Sequence, residues 1–228
     1  MKIYVLLLAF AVMTVSASAA VRAHEWNDRE TCVKTISNGA DWHGRDLRGA
    51  RIENIALRNA NLSGADLRDA HLKCVELQGA DLRRAQFQGA QLVGVNLEAA
   101  KLDGAHFAGA RLVGVGLSQT ALAAVSDDEL RNLLNECIGC DLSRDDLHSR
   151  DLSGIRLTGA DLTHVDLRNA NLSNASFTGV DLTGLNLSGA RFSHTRFVGC
   201  DFNGVDLRNA DLSGVEIVGA DMRGALLP

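Results

Sequence analysis

Every fifth residue from Leu47 to Leu117, and again from Leu142 to Leu227, is Leu, Ile, Phe or Met, 33 positions without an exception. A period of five fits neither regular element. On an α-helix five residues overshoot a turn by about 140°, and on a strand an odd spacing alternates faces. The chain must therefore turn at every repeat. Two residues before the large apolar position there is usually a small one, as at Ala60, Ala65, Ala80, Ala160 and Ala170, and just before that Gly or Asn, which tolerate corner dihedrals. A unit such as Ala65-Asp66-Leu67-Arg68-Asp69 reads as small residue in, carboxylate at the edge, large residue in, two residues outward. One Leu and one small residue per five cannot bury a core alone, so successive coils must stack and share one.

The stretches "ADLRDAHLKCVELQGADLRRAQF" and "ADLTHVDLRNANLSNASF" resemble the pentapeptide-repeat family, and the resemblance covers nearly all of residues 40 to 228. It implies an all-β solenoid, a right-handed four-sided β-helix with four pentapeptides per coil. It says less about function, since the family includes DNA-mimicking gyrase protectors and effector-associated modules. Composition agrees with such a tube: aromatics are 4 %, Pro occurs once, at Pro228, and Gly occurs 22 times, unlike a helical bundle or ordinary sandwich. Phe87 and Phe107 are four repeats apart, as are Phe177 and Phe197. In coils of four repeats each pair stacks at about 4.8 Å as core filling.

The segment 1–23, "MKIYVLLLAFAVMTVSASAAVRA", carries a Lys, an apolar run from Ile3 to Met13 and small residues suited to cleavage after Ala19, Ala20 or Ala23. The run is too short for a membrane span, so residues 1–23 read as a secretory signal peptide and the mature protein as periplasmic or secreted. Cleavage removes Lys2 and Arg22 and no acid, so a net charge of −5 becomes −7. That balance argues against a nucleic-acid-binding surface.

A duplication organises the rest. "CVKTISNGADWHGRDL" at 32–47 aligns with "CIGCDLSRDDLHSRDL" at 137–152, pairing Cys32 with Cys137, Asp41 with Asp146 and His43 with His148. Each segment follows a short helical pattern with a capping box, Asn27 with Glu30 and Ser126 with Glu129. Capping or inserted helices are thus expected near 27–36 and 127–138, the second with Leu130, Leu133, Leu134 and Cys137 on one apolar face and Gly139 as its stop. The resulting organisation is a helical cap at 24–44, a first repeat segment at 45–119, an inserted helix at 120–139 and a second repeat segment at 140–228. The first helix is expected to close the open end of the tube with Trp26, Val33 and Ile36. The second either separates two tubes joined at an angle or bulges from one continuous rod, the reading favoured here. Leu117 to Leu142 spans five whole repeats, so the phase survives either way.

Most of the side-chain chemistry argues against catalysis. Cys137 and Cys140 share the spacing of a redox motif but follow a helix, the end that does not stabilise a thiolate. With no second ligand pair for zinc, a local disulfide is the expected state outside the cytoplasm. Of the other cysteines, Cys200 sits at an inward position and Cys74 at a corner, as an exposed thiol. His43 and His148 are expected to pack over the caps. No phosphate loop or dinucleotide fingerprint is present and no cofactor is implied; the chain reads as a non-enzymatic scaffold for an unknown protein partner. A second reading is an acidic DNA mimic that binds a topoisomerase such as gyrase, which requires a cytoplasmic location.

Two surfaces stand out. The C-terminal "DMRGALLP" leaves Leu226 and Leu227 apolar with no helix after them, an end suited to pairing with a second copy. In rows of four repeats, Asp141, Asp161, Asp181, Asp201 and Asp221 fall in one column, followed two positions on by Ser143, Thr163, Thr183, Asn203 and Arg223. Carboxylates about 4.8 Å apart repel by about 1 kcal/mol even in water-like dielectric. The column is therefore expected to hold protons more tightly, or to attract calcium or a basic partner.

Overall fold

The computed structural model describes residues 35–117, 122–135 and 137–228. The expected signal peptide, and the expected first helix except its last two positions, lie outside the described residues. Those last two positions, Thr35–Ile36, are β1, and Ile36 is 74 % exposed. Ile36 therefore does not plug the tube as expected. The strand pairs with Ile55 and Ala56 one coil on, and Trp42 N–H donates to Asn61 O, so the solenoid already runs from residue 35.

One face carries most of the strand backbone, while β1 and the last two residues of β2 and β3 turn onto the next face: β2 (Arg51–Ala56), β3 (His71–Glu76), β4 (Gln91–Val93), β5 (Arg111–Val113), β6 (Cys137–Ile138), β7 (Arg156–Thr158), β8 (Ser176–Thr178), β9 (Arg196–Val198) and β10 (Glu216–Val218). They form a single parallel sheet in the order β1 to β10. Partners lie four repeats apart, as in Leu72↔Leu92 and Phe177↔Phe197, which fixes four pentapeptides per coil and about eight turns. We call this the strand face. The next three faces, in chain order, are stacks of single bridges typified by Asp161↔Asp181, Asn61↔Asp81 and Asp46↔Asp66. The tube is an all-β solenoid.

Packing follows from the repeat. Large residues such as Leu67, Leu97 and Leu142 and small ones such as Ala65 and Ala80 have no exposed surface. Phe87 and Phe107 stack with centroids 4.8 Å apart and planes 4° from parallel; Phe177 and Phe197 stack at 5.0 Å. Corners need a positive φ. At Gly189 φ is +71°, and a Cβ there would lie 2.2 Å from Asn169 Oδ1, so a side chain would have to displace the Asn169 amide as well as strain the backbone.

The interruption is a bulge in one continuous rod. Strand pairing passes through it, with Leu112↔Cys137 and Gly116↔Asp141 replacing the usual four-repeat offset by one of five. The two faces missing from that coil are filled by a 3-10 turn, Leu122–Ala124, and helix α1, Asp127–Leu134, whose Leu130, Leu133 and Leu134 are buried in the shared core. Ser126 caps α1 by accepting from Glu129 N–H at 3.3 Å. The helix is shorter than expected. It stops at Asn135, in extended backbone, because Cys137 is already the inward residue of β6, not the next residue of the apolar helix face.

Outward-facing Asp residues followed two positions later by Arg make bidentate pairs, for example Asp46 with Arg48, Asp81 with Arg83 and Asp206 with Arg208. The Arg side-chain hydrogen bonds hold the Asp46 and Asp206 carboxyls down at about 2, and Ser213 and Ser193 do the same for Asp211. Each lies below its ordinary 3.8. Stabilisation from these groups is therefore fully present above about pH 4 and is lost as pH falls toward about 2. Melting temperature should stay flat from roughly pH 8 to pH 5 and decline below about pH 4. A decline that begins near neutrality in thermal melts would contradict this account.

Candidate functional site

Three places differ from the plain repeat. The first is the acidic column. Asp141, Asp161, Asp181, Asp201 and Asp221 are bridged in sequence, each one coil from the next, on the face that follows the strand face. Each spends one oxygen locally. Oδ1 accepts the N–H of the residue two positions on, at 2.9 Å from Ser143, 2.9 Å from Thr163, 2.8 Å from Thr183, 2.8 Å from Asn203 and 3.1 Å from Arg223. This is an Asx-type turn, the same bond that other coils make. The carboxylates thus form a row without converging, and among the described residues no group of three or more His, Cys, Asp or Glu is placed to hold a metal ion.

Two carboxyls in the column move opposite to the expected direction. Hydrogen bonds from Thr163 hold the Asp161 carboxyl below its usual value, and hydrogen bonds from Arg223 do the same for Asp221. Donors aimed at the charged form outweigh repulsion between neighbours that face solvent. What separates this column from Asp46, Asp66, Asp81, Asp166 and Asp206 is the lack of an Arg two positions on until Arg223, which pairs with Asp221 at 2.5 Å. At 141 to 201 the charge stands without that internal counter-ion.

The second place is the bulge, where side chains replace a missing backbone ladder. Glu129 turns toward the preceding coil, meeting His106 Nδ1 at 2.7 Å and accepting from Phe107 N–H at 3.3 Å. It therefore does not complete the reciprocal half of the expected capping box. Asp127 turns toward the following coil and accepts from Asp151 N–H at 3.2 Å. Arg150 occupies a position where most coils have a small residue. Its guanidinium pairs with Asp127 and donates to the carbonyls of Leu122 and Val125. Asp145, likewise at a small-residue position, is buried. Charged residues at 145 and 150 broke the small-residue rule and were the available signal for this staple.

Beside the bulge, Cys137 and Cys140 form a disulfide with Cα atoms 5.8 Å apart, and both are fully buried. Cys200 is a buried free thiol whose burial pushes its pKa up, a core residue in character. Cys74 is not an exposed thiol as expected, since it is disulfide-bonded. His43 and His148 are both exposed; they do not pack inward, because the position after a large inward residue faces out. His43 meets Ser63 Oγ at 2.8 Å instead.

The third place is the C-terminal end. Ile217, inward in β10, and Leu227 are 40 % and 59 % exposed because no further coil of the described residues covers them, and Leu226, at the outward position bridged to Asp206, is 49 % exposed. Among the described residues β10 pairs only with β9, so one edge of the sheet is open there.

The family model for pentapeptide repeats (8 copies) matches residues 35–64, 50–89, 60–98, 90–125, 140–179, 151–189 and 186–224. The chain belongs to the pentapeptide-repeat family. Among solved pentapeptide-repeat structures it is similar to HetL from the cyanobacterium Nostoc, a protein involved in heterocyst differentiation regulation, at 28 % identity over 84 % of this chain and 82 % of that one, with a TM-score of 0.41. It is also similar to QnrB1, a plasmid-mediated fluoroquinolone resistance protein, at 22 % identity over 84 % of this chain and 86 % of that one, with a TM-score of 0.43. A pentapeptide-repeat protein of the Arabidopsis thaliana thylakoid lumen matches at 23 % identity over 73 % of this chain and 71 % of that one, with a TM-score of 0.18. No curated protein matches the chain.

Proposed function

We propose that this pentapeptide-repeat protein is a non-enzymatic scaffold that works in the periplasm or outside the cell and presents the Asp141 to Asp221 column to a basic protein partner. The observation that carries this reading is the run of four carboxylates, Asp141 to Asp201, that lack the Arg two positions on which neutralises Asp46, Asp66, Asp81, Asp166 and Asp206. The apolar leader at 1–23 and the Cys137–Cys140 disulfide are consistent with an oxidising compartment. Asp181→Asn/Asp201→Asn keeps both turn acceptors and removes two charges. Its capture on polylysine beads should fall about three- to tenfold with melting unchanged or slightly raised, and millimolar calcium should shift neither protein's melt. Equal capture of the two proteins would overturn the role of the column.

The regular acidic column also suits an alternative, a DNA mimic that occupies a topoisomerase such as gyrase. Cell fractionation separates the two readings: cleaved protein in the periplasm or medium supports the scaffold, and uncleaved protein in the cytosol supports the mimic.

The open C-terminal end is read as a contact with a second copy, end to end. Deleting residues 222–228 should lower the mass measured by light scattering from dimer to monomer; a monomer both before and after would dismiss the contact.

A further inference from the structure

Cys74 is disulfide-bonded, and its partner follows by elimination. The chain has five cysteines, Cys32, Cys74, Cys137, Cys140 and Cys200. Cys137 and Cys140 are bonded to each other, and Cys200 is a buried free thiol. Cys32 alone remains within the chain. We propose that Cys32 and Cys74 form a disulfide clasp that draws the segment ahead of β1 back along the outside of the rod, over the corner at Asn54.

The register makes this path specific. Thr35 pairs with Ile55 and Ile55 with Val75, one coil at each step. Were residues 30–34 a further repeat of the strand face, Cys32 would be the inward residue above Ile52, which itself pairs with Leu72. Its sulfur would then lie inside the tube, about 10 Å along the axis from Cys74, which stands at an outer corner. A disulfide holds its two Cα atoms within about 7 Å. The bond is incompatible with such a coil and requires the chain to reverse just ahead of Thr35. Three peptide steps lead back from Thr35 to Cys32. They span up to about 10 Å, enough to cover the two coils down to Cys74.

Two burials lie along that path. Asn54 holds the corner of the coil between Thr35 and Cys74, with φ +58°. The corner residues Asn59, Asn169, Asn174 and Asn209 are exposed, whereas Asn54 is half-buried and its Oδ1 is covered. Ala56 points outward yet is 4 % exposed, the one outward position of the described repeats that is buried. Ala108, also outward, is exposed, so a small side chain alone does not account for this. A chain running from Thr35 to Cys74 crosses Asn54 and flanks Ala56. Because the cover belongs to the same chain, it favours Cys32 over the Cys74 of a second copy.

Closing the clasp passes two electrons and two protons from the two thiols to an external disulfide, which leaves as two thiols. The clasp therefore rests on the oxidising compartment proposed above. Cys137 and Cys140 have no exposed surface, while Cys74 is half-buried, so a reductant reaches the clasp first.

Peptide mapping tests the bond on purified protein oxidised with glutathione disulfide. Trypsin under denaturing, non-reducing conditions should release residues 30–34, ETCVK, joined to residues 74–83, CVELQGADLR, apart from residues 132–144, which carry Cys137 and Cys140 together. Residues 74–83 found free, or joined to a second copy of themselves, overturn the clasp. Because oxidation is done in the tube, that outcome is separate from the compartment: cytosolic protein in fractionation overturns only the location. Cys32→Ser gives the structural readout. Ser37 N–H donates to Ala56 O beside the clasp. Its exchange should rise at least about tenfold in the variant, and equally in wild type reduced with just enough dithiothreitol to spare Cys137–Cys140, while the Leu187 amide stays protected. Ser37 exchange equal to that of the oxidised wild type overturns the proposal.

Discussion

Leu167→Asp should abolish cooperative folding. Leu167 is inward on a mid-rod coil, 2 % exposed, and covered by neighbouring coils on both sides. The change removes its apolar contacts, worth about 2–3 kcal/mol, and buries a carboxylate with no built partner, which costs several kcal/mol more. Together these rival the roughly 5–15 kcal/mol that holds a whole domain. The neighbouring outward change, Arg168→Ser, should barely move the midpoint, because its pair with Asp166 is exposed to solvent. Urea melts monitored by circular dichroism compare the two; an unchanged midpoint for Leu167→Asp would refute a core shared between coils.

Arg150→Ala should have the next largest effect, a loss of about 3 kcal/mol. The Arg150 side chain is 17 % exposed, donates to Leu122 O at 2.9 Å and to Val125 O, and pairs with Asp127 at 2.5 Å. Its removal strands two carbonyls and a carboxylate that have been partly taken out of water. Arg150→Lys should recover only part of the loss, because one ammonium cannot reproduce the planar fork. Hydrogen exchange provides the local readout. Amides of α1 should exchange faster in Arg150→Ala while those of β8 and β9 keep their protection, and α1 protection equal to wild type would rule the staple out.

The architecture was legible because one local rule, a large inward residue every fifth position, leaves only a turning chain that stacks. Coil length came with the family resemblance, and on coils of that length Phe87 with Phe107 and Phe177 with Phe197 fall one above the other, as the structure has them. The Asp141 column followed from the same count of four repeats. What escaped lay where tertiary contacts override the repeat. The end of α1 depends on Cys137 joining Leu112 in the sheet, a pairing across five repeats that a helical pattern running on to Cys137 conceals. The capping-box pattern at Ser126 and Glu129 predicts a reciprocal bond, but the unpaired Phe107 N–H one coil away draws the Glu129 carboxylate to itself. The Cys74 disulfide depends on spatial proximity, for which spacing holds no clue.

The direction of the backbone hydrogen bonds also sets how the rod carries load. Bonds such as Leu57 N–H to Glu76 O, Leu67 N–H to Gln86 O and Leu187 N–H to Asp206 O each join one coil to the next, so they point along the rod. Tension applied at its two ends therefore falls on the bonds of one coil at a time, as in a zip, and each coil that opens frees about 70 Å of chain in place of about 5 Å of rod. Force applied across the rod is borne by the covalent backbone of each coil instead. At the bulge the axial bonds of two faces are replaced by Glu129, Asp127 and Arg150, so axial tension passes there through side chains, while on the strand face it still runs through the backbone pairing of Leu112 with Cys137.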